Sequence, residues 1–250
     1  MGSISPTNGS IPPLPAPPAP STTAPSNGNG TTTEKRGPLH HQQPPQPPKK
    51  PIAIRKATPQ DAAQIAALGA AVFTTTFKDS GCTDEQLRAF LDEAYTVDAI
   101  RATLEDPGLI TFVAVDRDMP DNDNDKDNNN NNNIVTPPPI LAFLLLNTTS
   151  SPNEPAIANA RSPNTYPSPV EVQRLYVALG NHGRGIGKQL MRYAEAFAVE
   201  RGYVTCWLGV WERNFVAQRL YAGLGYVRIG EHVFDVGGDA QTDWILAKRL

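Results

Sequence analysis

Three glycines within five residues, Gly183, Gly185 and Gly187, stand between a strand-like run (170–177) and a helical one (189–201). Each glycine lacks the Cβ that would hold the main chain away from a ligand. At the start of a helix such a loop aims unpaired N–H groups at one point and adds the positive end of the helix dipole. The arrangement constrains the chain to a strand–turn–helix unit and predicts an anionic guest, a pyrophosphate first. The alternative at this point is a flexible loop that merely begins a helix.

Spacing separates the known phosphate loops. A Walker loop requires Gly, four residues, then Gly-Lys-Ser/Thr. Here Gly187-Lys188 is followed by Gln189, and the first glycine position is His182. The dinucleotide fingerprint G-x-G-x-x-G fails because Lys188 takes the place of its third glycine. What remains is x-G-x-G-x-G-K at the head of an amphipathic helix, His182-Gly183-Arg184-Gly185-Ile186-Gly187-Lys188. This resembles the acetyl-CoA loop of the GNAT N-acetyltransferase superfamily, Gln/Arg-x-x-Gly-x-Gly/Ala. His182 departs from that pattern at the Gln/Arg position. The resemblance implies that all seven residues bind the cofactor, mainly through main-chain donors that the departure leaves in place.

Composition sets the boundaries. Residues 1–50 are dominated by Pro, Ser, Thr, Gly and Asn and hold too little apolar surface to offset chain entropy, so they read as a disordered Pro-rich tail. Residues 51–250 read as one domain, enlarged by low-complexity loop insertions at 118–139 and 147–169. Without tail and insertions about 160 residues remain, a common size for one domain. No signal peptide or myristoylation pattern is visible, and the longest apolar run, residues 140–146, is too short to cross a bilayer. With Cys82 and Cys206 alone there is no disulfide framework, so a reducing compartment is expected, the cytoplasm first and the nucleus left open. A formal net charge of −3 predicts no general affinity for nucleic acid. The expected partners are therefore small molecules, with neither nucleic acid nor membrane.

Periodicity orders the rest. A strand at 52–55 precedes a helix opened by Thr58-Pro59-Gln60-Asp61, with Thr58 as N-cap and Pro59 at the first helical position. Helical spacing recurs over 83–95 and 97–104; strands are expected at 111–115, 140–146, 170–177 and 203–211. Asn214 opens a short helix ending near Gly225, a strand covers 226–229, and residues 233–236 and 242–247 flank a Gly237-Gly238-Asp239 turn. The order of strands and helices is that of the GNAT fold, and the resemblance implies an α/β class, a mixed sheet flanked by helices on both faces.

The chemistry comes from the same resemblance. Residues 207–214 and 219–226 are similar to the second half of the GNAT cofactor site, where an Asn opens a helix and a Tyr stands seven residues on. Two helical turns put Asn214 and Tyr221 on one face with Gln218. The resemblance places Asn214 on the pantetheine arm and Tyr221 near the sulfur, as the acid that protonates the leaving thiolate. Ordinary roles, an N-cap and a core aromatic, stand beside those readings. Glu171, eleven residues before His182, occupies the place where several GNAT enzymes carry a glutamate base; a strand-end surface carboxylate is the alternative. An ordinary glutamate pKa of about 4.3 is low for that task unless burial raises it. Backbone donors around Leu175, Tyr176 and Val177 are implied to bind the acetyl carbonyl and the pantetheine amide. Cys206 alternates with Val204, Leu208 and Val210 and reads as packed, and the four histidines show no metal-ligand spacing. The implied co-substrate is acetyl-CoA, with no metal and direct attack in a ternary complex.

A narrower resemblance covers most of the folded part. Val72–Phe77, Ala89–Tyr95, Val172–Val177, Gly230–Phe234 and Gly237–Asp243 look like bacterial PaiA-type polyamine acetyltransferases. It implies a small-molecule amine acceptor, a polyamine first; a monomer or homodimer is expected. Asp84, Glu85, Asp92, Glu93 and Asp98 could offer a polycation an acidic surface, or simply form a solvated helix face. The alternatives are a protein or peptide N-acetyltransferase and a non-catalytic acetyl-CoA-binding regulator.

Overall fold

The first strand, β1 (Ile52–Lys56), ends where Thr58 turns the chain. The Thr58 N–H and hydroxyl donate to Asp61 at 2.7 and 3.0 Å, and Arg55 donates to both oxygens of the same carboxylate at 2.7 and 2.8 Å. Asp61 thus fastens strand to helix, and the guanidinium holds its carboxyl below the usual range. A 3-10 turn, Pro59–Asp61, leads into helix α1 (Ala62–Phe77). These contacts come from a computed structural model of the chain, which describes residues 51–77, 83–117, 137–160, 165–236 and 239–250.

Helices α2 (Asp84–Ala94) and α3 (Val97–Glu105) begin on threonine caps. The Thr83 hydroxyl accepts from Gln86 N–H while the Gln86 side chain accepts from Thr83 N–H, and Thr96 accepts from Ala99 N–H. Strands β2 (Leu109–Asp116) and β3 (Ile140–Asn147) come next, then a short helix α4 (Pro155–Ala160) and strand β4 (Pro169–Val177). Helix α5 (Ile186–Glu200), β5 (Thr205–Trp211), α6 (Phe215–Ala222), β6 (Val227–Val236) and β7 (Asp239–Arg249) complete the order.

The strands form one sheet in the order β1-β2-β3-β4-β5-β7-β6. Only the β4–β5 pair is parallel, as a crossover through α5 demands. Helices cover both faces. Leu190, Met191, Ala194 and Ala198 of α5 pack with Phe112, Leu144, Val170, Val172, Leu208 and Tyr221 on one side. Ile65, Val72, Phe73 and Ile100 pack with Val113, Phe143 and Tyr176 on the other. Strand β3 is buried on both faces except at its last residue, which explains its unbroken apolar run. Among the described residues, no helix is long and apolar enough to cross a membrane.

Four local readings change. Helix α5 starts at Ile186 rather than Gln189, because Gly185 adopts a left-handed φ of 77° and serves as N-cap. The expected 226–229 and 233–236 strands are one continuous strand, β6; Gly237 and Gly238 lie outside the described residues. Val204 precedes β5 and is exposed, whereas Cys206, Leu208 and Val210 are buried as the alternation predicts. The 147–169 segment, read as a loop, contains a 3-10 turn (Ser151–Asn153) and α4. Ile157 of α4 is fully buried against Trp207, Ile245 and Ala247, so it supplies the apolar anchor of a largely polar stretch. The 1–50 tail, residues 118–136 of the other insertion, and Cys82 lie outside the described residues.

Candidate active site

Strands β4 and β5 pair over only three positions, Pro169↔Thr205, Val170↔Cys206 and Glu171↔Trp207. Beyond them both strands continue, to Val177 and Trp211, without a mutual ladder. The gap leaves the facing main-chain groups of Val172–Val177 without strand partners on that side, and buried groups of this kind demand partners. On its other side β4 carries a β-bulge. Leu145 pairs with Arg174 and Leu146 with Val172, so Gln173 is an extra residue. A bulge bends the strand and re-aims the residues beyond it, here Leu175, Tyr176 and Val177.

The glycine loop closes over the end of this gap. Gly183 and Gly185 have φ of 76° and 77°, and a Cβ on Gly183 would meet nothing within 4 Å. The first helical bond of α5 runs from Gln189 N–H to Gly185 O, leaving the N–H groups of Ile186, Gly187 and Lys188 without intrahelical acceptors. Two side chains lock the loop. The His182 Nε2 contacts Val177 O at 3.0 Å, and Arg184 reaches Asp116 at 2.8 Å and Asn181 at 2.6 Å. His182 and Arg184 therefore shape the loop, while Lys188 stands exposed at its mouth. Gly187 faces Leu220 of α6 together with Val177 and Leu175 of β4, each 3.6–3.8 Å from where a Cβ would stand. The two halves of the expected cofactor site thus meet.

Asn214 supplies the second half. Its Oδ1 accepts from Ala217 N–H at 3.1 Å, which makes it the N-cap of α6. Its Nδ2 is buried and has no protein partner, so capping uses only half of the side chain. Gln218 on the same face donates to Trp211 O and Glu212 O at 3.0 and 2.9 Å, fixing the turn from β5 into α6. Tyr221 packs in the α5-side core, and burial pushes its phenol well above the ordinary value. Cys206 nearby is fully buried, its thiol pushed up to about 12 by the same desolvation, which disarms it as a nucleophile.

Glu171 lies on the opposite face, since its neighbours Val170 and Val172 both point into the α5-side core. It is 5% exposed, and desolvation pushes its carboxyl up to about 7, the range a general base needs. Thus the two expected catalytic side chains do not touch. They come from opposite faces of the sheet.

Several residues near Glu171, most of them within the PaiA-like stretches, have no role that spacing assigns. Tyr95, after α2, shares a 2.6 Å hydroxyl contact with Tyr176, and the buried Arg174 guanidinium lies 5.3 Å from the Tyr95 ring centre. Glu154 meets His232 Nδ1 at 2.9 Å. Asp243 is fully buried opposite His232, with neither oxygen hydrogen-bonded, and desolvation pushes it up to about 7. A carboxylate at an inward strand position is the one signal that could have found Asp243; Glu154 sits in a stretch whose composition reads as a loop. The acidic residues expected at the acceptor site, Asp84, Glu85, Asp92, Glu93 and Asp98, are all exposed. The buried acids are elsewhere.

Residues 156–226 match the model of the Acetyltransferase (GNAT) family. An uncharacterized N-acetyltransferase of Lactobacillus delbrueckii subsp. lactis is 40% identical over 94 residues, covering 38% of this chain and 54% of that protein. The chain spans about half the length of the curated relatives it matches first. Among solved structures, the PaiA N-acetyltransferase of Thermoplasma acidophilum in complex with coenzyme A superposes with a TM-score of 0.53 at 18% identity, over 80% of this chain and 99% of that one. NAA60 of Arabidopsis thaliana in complex with acetyl-CoA gives 0.57 at 15% identity, over 80% and 99%. The fold is the GNAT fold.

Proposed function

We propose that this chain is an acetyl-CoA-dependent N-acetyltransferase that moves the acetyl group to a primary amine of a small molecule by direct attack in a ternary complex. The observation that carries the reading is the β4–β5 gap, bounded on one face by the α5 glycine start and the Asn214 cap, and on the other by buried Glu171. The family match over residues 156–226 spans the same elements. The free N–H groups of Ile186, Gly187 and Lys188 suit a pyrophosphate, the unpartnered Asn214 Nδ2 suits a pantetheine amide, and the unladdered donors of Leu175 to Val177 suit the thioester carbonyl. Glu171 removes the ammonium proton before attack. Tyr221 returns one to the departing sulfur.

The acceptor is a polyamine in this reading. Glu171, Glu154 and Asp243 put buried carboxyl groups on the acceptor side, which a multiply protonated amine would favour in their ionised form. Cys206, buried and free, fits a cytoplasmic setting, and the chain acts as a monomer or homodimer. A free-thiol release assay with acetyl-CoA against spermidine, spermine, monoamines and peptides tests all of this. Turnover on polyamines is expected. Turnover on peptides alone would transfer the assignment to protein acetylation, and tight acetyl-CoA binding without turnover would make the chain a regulator.

A further inference from the structure

We propose that the segment before β4 completes the active site, with the Glu154–His232 pair acting as a positioning device that sets the charge Glu171 carries. The inference rests on Glu171 as the base. It begins with how the segment is fastened. The Ser151 hydroxyl donates to Pro169 O at 3.2 Å and accepts from the Trp207 indole N–H at 2.8 Å. Pro169 is two residues before Glu171 on β4, and Trp207 is the ladder partner of Glu171 on β5. The segment is therefore tied down on both sides of the base.

Glu154 lies within the same segment and is itself held at both oxygens. One accepts from Ala156 N–H at 2.9 Å, and the other meets His232 Nδ1 at 2.9 Å. It is buried, while the His232 side chain is 31% exposed, so the pair runs from the interior to solvent. Helix α4 sits directly on β6, where a Cβ at Gly230 would come within 2.7 Å of the Ala156 Cβ, which fixes the approach of the two elements.

Among the described residues, the groups that act on Glu171 include Ser150 and Glu154 from this segment, His232 from β6, Arg174 from its own strand and Cys206 from β5. Those acting on His232 include Glu154, Asp243 and Glu171. The two members of the pair oppose each other: the Glu154 carboxylate disfavours ionisation of Glu171, and a protonated His232 favours it.

The test uses the full chain with 13C-labelled glutamate carboxyls, titrated by NMR, the Glu171 signal being identified by its loss in Glu171→Gln. Glu154→Gln is expected to lower the Glu171 midpoint by about 0.5 pH unit or more, and His232→Gln to raise it by a similar amount. Midpoints that both stay put, or both move the same way, would overturn the inference. If Glu154→Gln does not fold, the part-exposed His232→Gln variant decides alone: an unmoved or lowered midpoint overturns the proposal. Turnover by Glu171→Gln separates the two readings. Full turnover removes the base itself, whereas lost turnover with unopposed midpoints removes only the tuning pair.

Discussion

Tyr221 and Glu171 come from opposite faces of the sheet, and burial acts on both in the direction the proposed acid and base roles require. Desolvation raises the Tyr221 phenol, which suits a proposed acid that keeps its proton until a thiolate develops, and lifts the Glu171 carboxyl to about 7, which suits a proposed base. Tyr221→Phe keeps the ring and its packing but removes the proton. It is expected to lower kcat about 100-fold with little change in the KM for acetyl-CoA. Undiminished kcat would remove the general-acid role. For Glu171 the sign comes from ionisation, since the base works only when deprotonated. The kcat/KM profile should therefore climb with pH through about 7 and level off above it. Glu171→Gln should lose that limb along with about 100-fold of rate; a limb near the ordinary carboxylate range would place the controlling group elsewhere.

At the scale of elements, the start of α5 makes a sharper test than any single contact. Gly185 caps the helix with φ of 77°, a conformation that costs an L side chain about 1–2 kcal/mol. Gly187 is helical, and a Cβ there would make only ordinary contacts of 3.6 Å or more. Gly185→Ala is expected to lower the melting temperature and weaken acetyl-CoA binding together. Gly187→Ala should leave the melting temperature unchanged or raised. Calorimetry on both variants checks this, and an equal loss in the two would mean that the left-handed cap is not the governing strain. Sequence periodicity reveals this unit, the flanking strands and the Asn214 cap because each rests on local rules of spacing and capping. It misplaces the helix start by three residues, since a glycine's sign of φ is not written in its identity. It also misses α4, whose single buried anchor, Ile157, finds its partners on β5 and β7. Glu154 is lost with it. Alternation with Ile245 and Ala247 puts Asp243 on an inward face, but what its charge does there, like that of Arg174, shows only once the fold supplies the neighbours.

Over the whole molecule, the buried titratable groups act on stability largely in one direction. Glu171 and Asp243 are both held at about 7 by desolvation, far above the range of an unfolded carboxyl, so the folded chain binds extra protons between about pH 4 and 7. Stability therefore falls as pH rises through that window. His232 adds to the trend, since Glu154 raises its pKa in the fold: its contribution is full below the unfolded value of about 6.5 and is lost as pH climbs through the raised one. Asp61 works the other way, its carboxyl lowered by Arg55, so its contribution is present above about 3.8 and lost in acid. Opposed slopes on the two sides predict greatest stability of the ligand-free protein at about pH 4, with a decline from there toward pH 8. Urea unfolding at pH 5 and pH 8 measures it. Asp243→Asn removes a buried carboxylate that has no hydrogen-bond partner, so it should stabilise the protein at pH 8 and do much less at pH 5. A variant equally stabilised at both values would mean that Asp243 does not carry the pH dependence. A variant destabilised at pH 8 would mean that its ionised form has a partner in solution, and with it a structural reason to be there.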